Sequence, residues 1–192
     1  MAFNIKPGDI IIVNNFAGSF LSKAIRFFTN SWSHTALGFF DFPRKPSQQM
    51  MLEANLLVTL SGWDKDDENT HIDLRVYRWK KKNIPDKILW EMFDTYNGNV
   101  YGWWQLLYFV WRWIVEKLSL PRRWALKNFF PNDEICTEIV YVALTKINDP
   151  VVNAALARLS RDQNTVHPGD IISICEDLCK AGVLEMVYNR ER

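Results

Sequence analysis

The chain has 192 residues, 48% of them hydrophobic, with 23 basic and 22 acidic side chains. That length and balance fit a single domain, residues 1–192, able to bury a core without metal or disulfide support, and they exclude a disordered chain. A net charge of +1 carries no footprint of a nucleic-acid binder, so the 14% aromatic content, with nine tryptophans, has to serve core, ligand pocket or membrane contact.

Residues Met1 to Asp9 lack a basic leader followed by an apolar stretch, and no apolar run is long enough to span a bilayer. The expected location is cytoplasmic. Pro7-Gly8-Asp9 leads into Ile10-Ile11-Ile12-Val13, a buried strand. Ser19 to Phe28 carries apolar side chains at helical spacing. Thr35 to Phe40 reads as a second strand and Met50 to Leu57 as a third. Gly62 to Thr70 is charged and turn-rich, a loop. Ile72 to Trp79 alternates apolar with polar, the pattern of a half-exposed strand. Pro85 to Tyr96 reads as a helix stopped near Asn97-Gly98. An aromatic-rich helical insertion follows at about 101–130. Ile135 to Ile147 and Val151 to Leu159 are helical. Pro168-Gly169-Asp170-Ile171-Ile172 echoes Pro7-Gly8-Asp9-Ile10-Ile11 and predicts a second turn leading into a strand. Strands first, helices later and short connections predict an α+β domain.

The cysteines are Cys136, Cys175 and Cys179, an odd and sparse set that argues against a disulfide framework. Cys175 and Cys179 share one helical face with only His167 near, so core packing is expected over a metal site.

Three residues stand out chemically. His34 is the lone ionisable side chain between Arg26 and Asp41 and opens a buried strand, so it needs a partner. Taken singly it reads as a satisfied core histidine before it reads as a catalytic one. Glu53 is a single charge inside Met50 to Val58. It is either paired or on an edge strand facing water. Cys136 falls in the first turn of a helix capped by Asn132 or Asp133, where unpaired N–H groups and the helix dipole favour a thiolate and could hold an oxyanion. Taken singly it reads as a packing residue before it reads as a nucleophile. Together, thiol, imidazole and carboxylate are the components of a Cys-His-Glu triad. The strands carrying His34 and Glu53 are close in sequence and are expected to pair as a hairpin. His71 borders a charged loop and His167 precedes a Pro-Gly turn, where solvent exposure is expected of both.

Four phrases in this order carry a family resemblance: Lys6-Pro7-Gly8-Asp9-Ile10-Ile11, Trp32-Ser33-His34-Thr35-Ala36-Leu37-Gly38, Leu52-Glu53-Ala54, and Ile135-Cys136-Thr137-Glu138-Ile139-Val140. The chain resembles the circularly permuted NlpC-type papain-like hydrolases, the YiiX/YaeF-like group, relatives of the lecithin:retinol acyltransferase-like proteins. Tyr101-Gly102-Trp103 resembles that family's tyrosine-containing segment, and the later Pro168-Gly169-Asp170-Ile171 is also family-like. The resemblance implies an α+β permuted papain-like fold, an antiparallel sheet or small barrel packed against the helix carrying the cysteine. It also implies catalysis by Cys136, His34 and Glu53. In ordinary NlpC-type enzymes the cysteine helix precedes the histidine strand; here it follows. Thr137 departs from the family, where serine is more usual after the cysteine.

Within Trp103 to Leu118, Gln105, Arg112 and Glu116 form a narrow polar stripe that Ser119 extends, on a helix nearly all of whose other residues are apolar. At ~1.5 Å per residue its sixteen residues reach about 24 Å, short of a ~30 Å hydrocarbon core. Two readings stand: a buried helix with a basic tail, or a lid or peripheral membrane contact through 103–124. Five of the nine tryptophans lie between Trp103 and Trp124, just before Cys136, and Trp32 lies two residues before His34. Trp32, Tyr101, Trp103 and Trp104 are therefore the expected substrate-binding residues, walling an apolar or lipid-like group.

The expected activity is that of a cysteine hydrolase or acyltransferase, acting on a small amide, peptide or acyl substrate through a thioester. No metal, cofactor or nucleic acid is expected. An intracellular peptidoglycan-fragment amidase and a catalytically silent membrane-associated module are the alternatives.

Overall fold

The structure is a computed structural model that describes residues 3–15, 32–40, 49–54, 58–63, 72–81, 83–99, 111, 115, 118–119, 136–159 and 166–191. Among the described residues, one antiparallel sheet contains β1 (Ile10–Asn15), β2 (His34–Gly38), β3 (Met50–Ala54), β4 (Val58–Gly62), β5 (Ile72–Trp79) and β6 (Leu184–Arg190). Their order across the sheet is β4-β3-β2-β1-β5-β6. The helices are α1 (Asp86–Tyr96), α2 (Cys136–Lys146), α3 (Pro150–Ala157) and α4 (Pro168–Lys180). The architecture is α+β, with helices packed on an antiparallel sheet.

β1 is central, and Ile12 stands opposite Thr35 of β2 on one side and Arg75 of β5 on the other. Its unbroken apolar run requires cover on both faces. Ile10 and Ile12 join the larger core cluster, with Leu37, Leu52 and the helical Cys136, Ile139, Val140, Ile171 and Cys175. Ile11 and Val13 join a smaller cluster with Ala36, Met51, Trp63 and Leu74. Full burial of each such aliphatic side chain contributes roughly 1.5–3 kcal/mol.

The turn before β1 is held by glycine and aspartate. Gly8 takes a φ of 85°, and the Asp9 carboxylate accepts the Lys6 N–H at 2.8 Å and Arg78 Nε at 2.9 Å. Gly38 N–H donates to Asp9 O at 2.7 Å, and a Cβ at Gly38 would collide with the Lys6 carbonyl. Only glycine allows β2 to close against this turn.

The Pro168 phrase corrects the expectation of a second strand. It opens α4, with Pro168 at the first helical position and a capping box between His167 and Asp170. Asp170 Oδ2 accepts the His167 N–H at 3.0 Å, as Asp9 does three residues downstream of Lys6. The residues after the phrase decide the outcome: Ile171, Ile174, Cys175 and Leu178 are buried at helical spacing.

Three smaller expectations also change. Met50 to Leu57 is not one strand: β3 ends at Ala54, and Val58-Thr59-Leu60-Ser61 forms the separate β4, with Leu60 opposite Leu52. Its short alternation, buried Val58 then exposed Thr59, is a period-two pattern. β5 covers Ile72–Trp79 as expected but is not half exposed; only Arg75 and Arg78 are partly exposed, because β5 lies between β1 and β6. Helices do not close the chain, since β6 returns to pair with β5.

α1 follows Pro85, buries Leu89, Met92 and Tyr96, and stops before Gly98, whose φ is 87°. Expected features at Ser19 to Phe28, at 64–70 and over most of 101–130 lie outside the described residues. Among the described residues, no helix is long and apolar enough to cross a membrane.

Candidate active site

β2 and β3 are antiparallel neighbours, with Ala36 opposite Glu53. His34 opens β2 two residues before Ala36 and is therefore diagonal to Glu53, a distance that long side chains bridge. His34 Nε2 and Glu53 Oε2 are 2.8 Å apart. The side chains are 16% and 8% exposed, so the pair is screened little by water. The edge-strand reading of Glu53 does not hold, because β3 lies between β2 and β4 and Glu53 is buried.

Cys136 is the first residue of α2 and sits on its apolar stripe with Ile139, Val140, Ala143 and Leu144. That stripe is why the thiol faces the sheet rather than solvent: positions i, i+3, i+4, i+7 and i+8 share one helical face. α2 packs on β2. The next residue, Thr137, ties this part of α2 to the segment before α4 by donating from Oγ1 to the Val166 carbonyl at 2.7 Å.

The electrostatics of the two groups are opposed and mutual. Burial pushes the Cys136 thiol up, but the charge of the adjacent His34 ring, its hydrogen bond, and the Thr35 N–H and hydroxyl outweigh burial and hold the thiol below its ordinary value. Burial works against a charged His34, yet the Cys136 charge and hydrogen bond, then Glu53, raise the imidazole well above its usual range. With Nε2 on Glu53, the ring has Nδ1 left for the sulfur. Each charged form therefore favours the other, thiolate with imidazolium, and Glu53 adds to the pull on the ring. Such an arrangement can attack an electrophilic carbon with sulfur and protonate the group that leaves.

Thr35 was not singled out by sequence reasoning. The signal was its register: it shares a face with Leu37, which packs in the cluster that contains Cys136.

Of the expected substrate-binding residues, Trp32 packs against that cluster, with the Arg75 guanidinium 4.9 Å from its ring centre. Tyr101, Trp103 and Trp104 lie outside the described residues, as do His71 and the expected caps Asn132 and Asp133. His167 is not solvent-directed: its side chain is 20% exposed, and Nδ1 accepts the Asp170 N–H at 3.3 Å as the cap of α4. Cys175 is buried and Cys179 half-buried. Among the described residues, no group of three or more His, Cys, Asp or Glu is arranged to hold a metal ion. No protein-family model and no curated protein sequence matches the chain.

Proposed function

We propose that the chain is a cysteine hydrolase or acyltransferase of permuted papain-like fold, acting on an amide or ester carbonyl. The observation that carries this reading is the 2.8 Å His34–Glu53 pair beside a Cys136 thiol of lowered pKa. In the first half-reaction Cys136 Sγ attacks the carbonyl carbon, and the collapsing tetrahedral adduct expels the amine or alcohol, which takes its proton from His34. The acyl group is then a thioester on Cys136. In the second half-reaction His34 removes a proton from water or another acceptor, which attacks the thioester and regenerates the thiolate. Glu53 orients the imidazole and balances its charge throughout. The chain order supports the permuted arrangement, because the histidine and glutamate strands precede the cysteine helix.

A thiol-directed activity probe tests the reading. Cys136→Ala abolishes labelling and Cys175→Ala preserves it; labelling that survives Cys136→Ala overturns the assignment.

A lipid-like substrate, or a membrane contact through 103–124, is supported by exposure there: Trp111 is 37% and Leu118 63% exposed. Flotation with liposomes tests this part. Trp111→Ala weakens membrane association, and an unchanged distribution contradicts it.

A further inference from the structure

The β2–β3 pairing begins at Ala36 opposite Glu53, so Thr35 lies just beyond the end of that ladder. Its side chain shares the face of Leu37, on the side where α2 packs. Thr35 is 0% exposed, and its Oγ1 makes no hydrogen bond of ordinary geometry among the described residues. A hydroxyl so placed is out of keeping with packing alone, since valine has the same shape and no polar atom to desolvate. On that side α2 packs on β2 with Cys136 as its first described residue, and the Thr35 N–H and hydroxyl are among the groups that hold the Cys136 thiol down.

We propose that Thr35 is a positioning residue for the nucleophile, whose hydroxyl and main-chain N–H donate to the Cys136 sulfur and hold it as a thiolate aligned with His34. This rests on the reading of Cys136 as the nucleophile and adds to it a second cradle, independent of the imidazole. A protonated thiol is a weak acceptor and leaves the hydroxyl nearly idle; a thiolate is a strong one. The hydroxyl therefore favours the charged form and lowers the cost of ionising a buried sulfur.

The test is the pH profile of Cys136 alkylation by iodoacetamide, read on its own peptide by mass spectrometry in a Cys175→Ser, Cys179→Ser background. Thr35→Val raises the midpoint by about one pH unit and slows alkylation about tenfold at pH values below both midpoints. Thr35→Ser restores the midpoint. Thr35→Ala, which removes the hydroxyl without a new methyl against the sulfur, raises it likewise, so the result does not depend on how the valine variant folds. An unmoved midpoint in the Val and Ala variants, with a low midpoint in the parent, overturns the role of Thr35 and leaves the nucleophile standing. A parent midpoint equal to that of a free thiol overturns both.

Discussion

Cys136 and Cys175 are both buried, both lie on helices, and both pack in the same core cluster, yet their thiols behave in opposite ways. Burial raises both. Around Cys175 nothing reverses it: Cys179 and Glu176 add negative charge and push that thiol further up. Around Cys136 the His34 ring supplies positive charge, and Thr35 supplies donors, so the thiol is lowered instead. Burial by itself makes a cysteine inert; the neighbours decide whether it becomes a nucleophile.

Replacing the two thiols gives the largest contrast. Cys136→Ala removes the proposed nucleophile, and turnover of an activated ester falls by about a thousandfold or more. Cys175→Ala leaves turnover intact and lowers stability by about 1 kcal/mol, measured by urea unfolding, because it leaves a small void in the core. Equal loss of activity in the two variants breaks the comparison.

Removing the imidazole should make Cys136 resemble Cys175. His34→Gln slows acylation by about a hundredfold or more and raises the Cys136 midpoint. Glu53→Gln has a smaller effect. It removes the negative charge that helps raise His34, so the ring holds its proton less well and acylation slows by about tenfold.

The pH dependence follows from the two directions. Cys136 is lowered, so the thiolate is lost only as pH falls through that depressed value. His34 is raised, so the imidazolium is lost only as pH rises through its elevated value. The reactive pair fills the window between them, and acylation rates trace a bell across it. His34→Gln abolishes the alkaline limb. Retention of that limb in the variant assigns it to another group.

The sequence made some of this legible and hid the rest for physical reasons. The β-branched run Ile10 to Val13, the period of α1 and the apolar stripe of α2 are local patterns, and each formed the element that its spacing implies. The hairpin that joins His34 to Glu53 was visible because two short strands lie close in sequence. β6 was not, because only Leu184 of Leu184–Arg190 is buried, so no alternation marks it, and its pairing with β5 is long-range. The phrase shared by Pro7 and Pro168 misled because a Pro-Gly-Asp turn starts either a strand or a helix. The aspartate accepts the N–H three residues back in both, and only the spacing of the following apolar residues separates them. Cys136, His34 and Glu53 were legible as chemically conspicuous residues in apolar surroundings. Thr35 was not, since a threonine in a strand is ordinary until its register and its neighbour are known.

The most direct test of the central claim is the alkylation rate of each cysteine in the folded protein at pH 6, resolved peptide by peptide. Cys136 is modified first, and Cys175 stays protected until the protein is unfolded. Modification of Cys136 no faster than Cys175 would contradict it.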